Sequence, residues 1–140
     1  MYTIRPFDPE QDGYAALVEV YNLDWPDDPD VPETWIHNDN TRDMRYLMHR
    51  FVAEADGAIV AEGVIYESDW SYVPGKYSYH YNVRPPHAST EQGGQHVHDA
   101  ILDYVLEFVA PRDPAPVKLT THTRENRSEK SHSWRPTALH

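Results

Sequence analysis

The segment Tyr77-Ser78-Tyr79-His80-Tyr81-Asn82-Val83 runs through a polar loop into Gly93-Gly94 and then into Val97, Ile101, Tyr104, Val105 and Phe108, and it decides how this chain folds. Period-two alternation makes the first part a strand, with Tyr77, Tyr79, Tyr81 and Val83 on one face and Ser78, His80 and Asn82 on the other. The later apolar residues recur at helical spacing and predict a helix from about Gly94 to Val109 that buries one face on a sheet. A strand feeding a glycine-opened helix aims several backbone N–H groups and a positive helix end at a phosphate. The junction therefore suggests a nucleotide-like cofactor.

Working outward, His49–Glu54 and Ala58–Tyr66 flank Ala55-Asp56-Gly57, and an Asp-Gly dipeptide between two such runs predicts an antiparallel hairpin. Val73-Pro74-Gly75-Lys76 turns the chain into the tyrosine strand, giving a three-strand meander. Upstream, Tyr2–Arg5 reads as a short strand, and Asp8-Pro9-Glu10-Gln11 reads as a capped helix start. Tyr14, Leu17, Val18 and Tyr21 continue it towards Trp25-Pro26. The acidic stretch Asp24–Asp30 lacks the glycine turn and terminal Glu of a calcium loop and reads as a solvated linker. Asp30 can cap a second short helix carrying Trp35 and Ile36. After Pro111–Pro116, Val117–Thr121 is a strand that can lie parallel to Tyr77–Val83. Beyond Arg124 the apolar content falls, which predicts a weak helix or a disordered tail.

The chain has 140 residues, enough for one core. It has no Cys, which excludes disulfides, thiolate zinc sites and a cysteine nucleophile. Twelve Lys and Arg against 23 Asp and Glu give a formal charge of -11, unfavourable for nucleic acid and permissive for a cationic amine. No apolar run is long enough to span a bilayer, so the expectation is a soluble cytoplasmic protein. His96 and His98 are the closest histidine pair, but on one helix they would point about 200° apart, so no metal site is expected.

The order of elements, with Ile4-Arg5-Pro6, the Ala55-Asp56-Gly57 hairpin, the strand exit Val83-Arg84-Pro85 and Gly94 before the helix, resembles the GNAT superfamily of acetyl-CoA-dependent N-acetyltransferases. The resemblance covers roughly residues 2 to 126. It implies an α/β (α+β) domain with a mixed central sheet in the order β-α-α-β-β-β-α-β, lacking the usual last two strands. It also implies an acyltransferase domain over 1–126 and an atypical, weakly structured segment over 127–140. In that family the strand before the central helix splays from its parallel neighbour and receives the pantetheine arm. Acetyl-CoA as co-substrate would then be held by the backbones of Asn82, Val83 and Arg84, by Gln92, Gly93, Gly94, Gln95 and His96, and by Asn126. Ser89 and Gln92 stand where the family signature has Gln or Arg and Gly. Glu129 and Ser133 stand where its C-terminal helix has Ala and Tyr, so the end of the chain reads as shortened.

The implied chemistry is direct attack of an amine on a thioester, in which the amine loses a proton and the thiolate regains one. By position, Glu62, Glu67 and His80 are candidate bases and Tyr79 or Tyr81 candidate acids, although each also fits an ordinary strand residue. Two functions follow from the resemblance: an N-acetyltransferase acting on an amine, or a catalytically impaired relative that binds CoA or forms a homodimer through an exposed strand Val117–Thr121.

Overall fold

The computed structural model describes residues 2–85, 91–92, 95–122 and 129–133, with 91, 92, 95, 122 and 129–133 described through their backbone. In chain order the elements are β1 (Thr3–Pro6), α1 (Tyr14–Asp24), α2 (Pro32–Thr41), β2 (Met48–Ala55), β3 (Ala58–Tyr66), β4 (Lys76–Val83), β5 (Glu91–Gln92), β6 (Gln95–His96), α3 (Val97–Val109), β7 (Lys118–His122) and β8 (Glu129–Ser133). Six strands form one mixed sheet in the order β1-β2-β3-β4-β7-β8, and β5-β6 is a separate small hairpin. Among the described strands only β4 and β7 pair parallel, across the α3 crossover. All other neighbours are antiparallel. The fold class expected from the sequence is the one observed.

The Asp-Gly hairpin forms as predicted. Asp56 and Gly57 both adopt positive φ, the geometry that lets a two-residue turn follow the twist of β2 and β3. On one face of the sheet α3 buries Val97, Ile101, Val105 and Val109 against Phe51, Ile65, Tyr77, Tyr79 and Leu119. Each such aliphatic side chain contributes about 1.5–3 kcal/mol. On the other face α1 buries Leu17, Val18 and Val20.

Several boundaries differ from the sequence reading. The Asp8 carboxylate accepts the N–H groups of Glu10 and Gln11, while Asp12 is held by Arg5 at 2.7 Å. This closes a separate turn, and Gly13 at φ +80° redirects the chain so that α1 begins at Tyr14. Asp30 does not cap α2. Val31 is the N-cap, and the Asp30 carboxylate accepts from the Val31 N–H and from Trp35 Nε1 (2.9 Å). Gln95 and His96 are extended and paired with Gln92 and Glu91, which moves the start of α3 from Gly94 to Val97. Gly93 and Gly94, between the two strands of that hairpin, and Asn126 lie outside the described residues. Finally, Glu129–Ser133 is neither helix nor tail. It pairs along β7 from Lys118 to His122 and covers the edge that the sequence left exposed.

One feature of the sheet positions the cleft beside it. Among the described residues, pairing between β4 and β7 runs from Lys76 to Tyr79 and stops, while β4 continues beside β3 to Val83. The two parallel strands therefore part after Tyr79 among the described residues.

Candidate functional site

A cleft of about 740 Å³ opens on the α1–α2 face. Its floor comes from β3 and β4, where Glu62, Val64, His80 and Asn82 share one face because Glu62 pairs with Asn82 and Val64 with His80. Its wall comes from Tyr21 at the end of α1, Trp25 in the acidic linker and Trp35 on α2. Tyr21 stacks on Trp25 with a 15° interplanar angle and meets Trp35 edge-on. Thus the linker that read as solvated is a wall of the site, with Asp28 and Asp30 among its lining residues.

Glu62 is only 3% exposed. Trp25 Nε1 donates to Asn82 Oδ1 at 2.7 Å, which fixes the amide so that its Nδ2 donates to Glu62 Oε1 at 2.6 Å. Burial pushes the Glu62 carboxyl up to about 7, against the opposing effects of the Asn82 hydrogen bond and the Arg50 charge. Arg50 is itself held by a two-point contact with Asp39 at 2.8 and 2.9 Å and lies over the Trp35 ring at 4.8 Å. Asp39 also accepts the Tyr14 hydroxyl at 2.6 Å. A carboxyl that changes charge near neutrality, aimed into a cleft, can take a proton from a bound ammonium or from water.

Tyr81 stands where β4 leaves β7. It lines the cleft, its ring is parallel to that of Tyr79, and its hydroxyl is 2.7 Å from Nδ1 of His98 in the first turn of α3. The backbone also matters here. Arg84 N–H donates to Val60 O at 2.8 Å, and alternation along the antiparallel β3–β4 pair turns the Asn82 groups the same way. The N–H and C=O groups of Tyr81 and Val83 then face the side that β7 has left. Of the three backbones expected to contact a cofactor, Val83 is the one aimed into the gap.

The structure brings Glu62, Glu67, His80 and Tyr81 into one cleft. Within it, Glu67 Oε1 accepts the Leu47 N–H at 2.8 Å, and exposed His80 meets Tyr66 edge-on. The Arg84 side chain donates to Ile59 O and pairs with Glu19. His96 caps α3 instead of sitting on it, so its ring stacks on His98 at 4.8 Å and the two do not diverge. Among the described residues no group of three His, Asp or Glu could hold a metal ion. Trp25, Trp35, Asp39, Arg50 and His98 were not anticipated. The one available signal was a pair of indoles flanking an acidic linker, where a ring with a polar tip is more useful in a wall than in solvent.

No protein-family model matches the chain, and no curated protein matches it in sequence. Solved structures do. A tandem GNAT protein from the clavulanic acid biosynthesis pathway superimposes with a TM-score of 0.66 at 12% identity, covering 88% of this chain and 37% of that one. A GNAT family acetyltransferase from Brucella melitensis, solved with acetyl-CoA, gives 0.58 at 17% identity, covering 97% of this chain and 90% of that one. The ribosomal-protein-S18-alanine N-acetyltransferase from Escherichia coli gives 0.56 at 16% identity, covering 91% and 70%. With the strand order, the parting of β4 from β7 and the α3 crossover, these likenesses show that the chain has the GNAT fold.

Proposed function

We infer that the protein transfers the acetyl group of acetyl-CoA to a cationic amine by direct attack of the amine on the thioester. The observation that carries this reading is the buried Glu62, which titrates near neutrality on the floor of an aromatic-walled cleft beside the gap between β4 and β7. A base of that kind takes the proton that an ammonium must lose before its nitrogen can attack. Arg50 sits close enough to pull Glu62 down, but its charge is shared with Asp39, so Glu62 stays poised.

The gap fits acetyl-CoA. Strand hydrogen bonding leaves the Tyr81 and Val83 backbone groups facing it, as an amide-bearing arm requires, and the N-terminus of the 13-residue α3 opens nearby through His98. Tyr81 supports a second role, donating its hydroxyl proton to the departing thiolate. Acceptor chemistry follows from charge: Asp28, Asp30, Asp43, Glu67 and Asp69 line the cleft with Glu62, against Arg42 and Arg50. That balance attracts a cation, and Tyr21, Trp25 and Trp35 offer ring faces to its apolar body.

Calorimetric titration with acetyl-CoA, followed by thiol release over a panel of primary amines, tests the reading. Saturable heat and thiol release with cationic amines are expected. Cofactor binding without release from any amine would instead make the protein a CoA-binding relative without catalysis, and the absence of heat at millimolar acetyl-CoA rules out both.

A further inference from the structure

We propose that Asp39 is a positioning residue for Glu62: by holding the Arg50 guanidinium against α2, it keeps that cation from pairing with the carboxylate on the cleft floor. The proposal rests on the acetyltransferase reading above, in which Glu62 takes the proton of the amine.

Strand register sets the cation beside the carboxylate. Arg50 pairs with Val64, and Val52 with Glu62, so Arg50 and Glu62 are diagonal neighbours on one face of the β2–β3 pair, a separation that a long side chain can bridge. Both line the cleft. Yet among the described residues the guanidinium forms its ion pair with Asp39 and not with Glu62, whose carboxylate accepts from Asn82 Nδ2. Two contacts turn Arg50 away. Its Nε and one terminal nitrogen donate to the two Asp39 oxygens at 2.8 and 2.9 Å, a fork that matches guanidinium to carboxylate, and its charge lies 4.8 Å over the Trp35 ring. Asp39 and Trp35 both belong to α2. The Tyr14 hydroxyl, at the start of α1, donates to the same Asp39 oxygen that receives Nε and so fixes the carboxylate from a second element.

Loss of the Asp39 charge has a definite consequence. The Arg50 side chain is 15% exposed, and a cation so covered is costly without a partner. The carboxylate on its own face of the sheet is that of Glu62, and a two-point pair there occupies the oxygens that a bound ammonium must reach. The other charged groups around the floor do not take over this role. Arg42, at the end of α2, donates to Tyr46 O. His80 of β4 is the diagonal neighbour of Glu62 on the opposite strand and is exposed. Asp24 of α1 and the linker residues Asp28 and Asp30 are anions, which favour the protonated carboxyl. Burial raises the Glu62 carboxyl, the Asn82 hydrogen bond and the Arg50 charge oppose that, and the Asp24 charge adds to it. The balance turns on where Arg50 is held.

Carbon NMR of glutamate labelled at the side-chain carboxyl in the intact protein reads the titration directly, with Glu62→Gln identifying the signal. In Asp39→Asn the Glu62 midpoint should fall by about one to three pH units, the usual effect of an adjacent guanidinium. In Asp39→Asn with Arg50→Gln it should return to the wild-type value or above. Tyr14→Phe, which removes only the other partner of Asp39, should leave it in place. Thiol release with acetyl-CoA and phenylethylamine provides the second arm: Asp39→Asn should carry the rise of kcat/KM to lower pH and lower its plateau about ten- to a hundredfold, part of what a positioned base supplies. An unchanged or raised midpoint in Asp39→Asn overturns the proposal, and so does a lowered midpoint that persists in the double variant. Where Asp39→Asn does not fold, Arg50→Gln alone decides: a midpoint above that of the wild type supports the proposal, and an equal one overturns it. A wild-type protein that releases no thiol with any amine removes the acetyltransferase reading, while the midpoints still decide whether Asp39 holds Arg50 away from Glu62.

Discussion

In the proposed acetyl transfer, Glu62 couples stability to activity through one proton. Its folded-state pKa of about 7 lies above the ordinary value of 4.5, so the native protein holds this proton more tightly than the unfolded chain does. Stability from this group is full below pH 4.5 and declines as pH rises towards 7. Glu62→Gln should flatten that decline in denaturant titrations at pH 5 and pH 8, leaving the variant at least as stable as the wild type at the higher pH. The same substitution removes the proposed base, so kcat/KM for acetyl transfer should fall about a hundred- to ten-thousand-fold and lose its rise through neutrality. Trp25→Phe keeps the ring but frees the Asn82 amide to turn. It should lower kcat while circular dichroism stays unchanged. In the sequence Glu62 was one of three acids or bases with equal claims by position, because nothing local shows that α1 and the linker will cover it and leave Glu67 and His80 nearer the rim.

At the scale of elements, the parting of β4 from β7 makes a prediction about backbone amides. The N–H group of Val83 faces away from β3, so it should exchange with solvent faster than those of Asn82 and Arg84, and acetyl-CoA should slow it. Hydrogen-exchange NMR would show both effects, and equal protection in the free protein would contradict the alternation. Close packing at the same place is checked by Gly63, which pairs with Phe51 on one side and Tyr81 on the other. A Cβ there would meet His80 O and the Tyr81 Cβ at 2.8 Å each, both anchored in β4. Gly63→Ala should cost about 1–3 kcal/mol in chemical denaturation through overpacking. The hairpin and the α3 stripe were readable from spacing because their periodicities are local. The start of α1 was not, since the Asp8 turn and a true N-cap offer the same residue types, and the Arg5–Asp12 pair that decides between them is a tertiary contact.

Across the whole molecule, a formal charge of -11 and an acidic cleft would give the proposed cationic acceptor a long-range attraction. Raising ionic strength from about 0.01 to 1 M shortens the Debye length from about 30 to 3 Å. KM for a cationic amine should rise with salt while kcat holds, and an uncharged amine should show no such trend. The order of β1, α1, α2, β2, β3, β4, α3 and β7, the hairpin position and the absence of cysteine chemistry were determined by the sequence, because each depends on local patterning or on composition, and the parallel pairing of β4 with β7 followed from the helix crossover between them. The tertiary structure alone decided that the acidic linker becomes a wall, that Trp25 reaches Asn82 fifty-seven residues away, that β8 covers β7, and that Tyr81 of β4 meets His98 of α3. These features depend on which faces come to lie against each other when the chain closes, and no local spacing along the strand that opens into α3 records it.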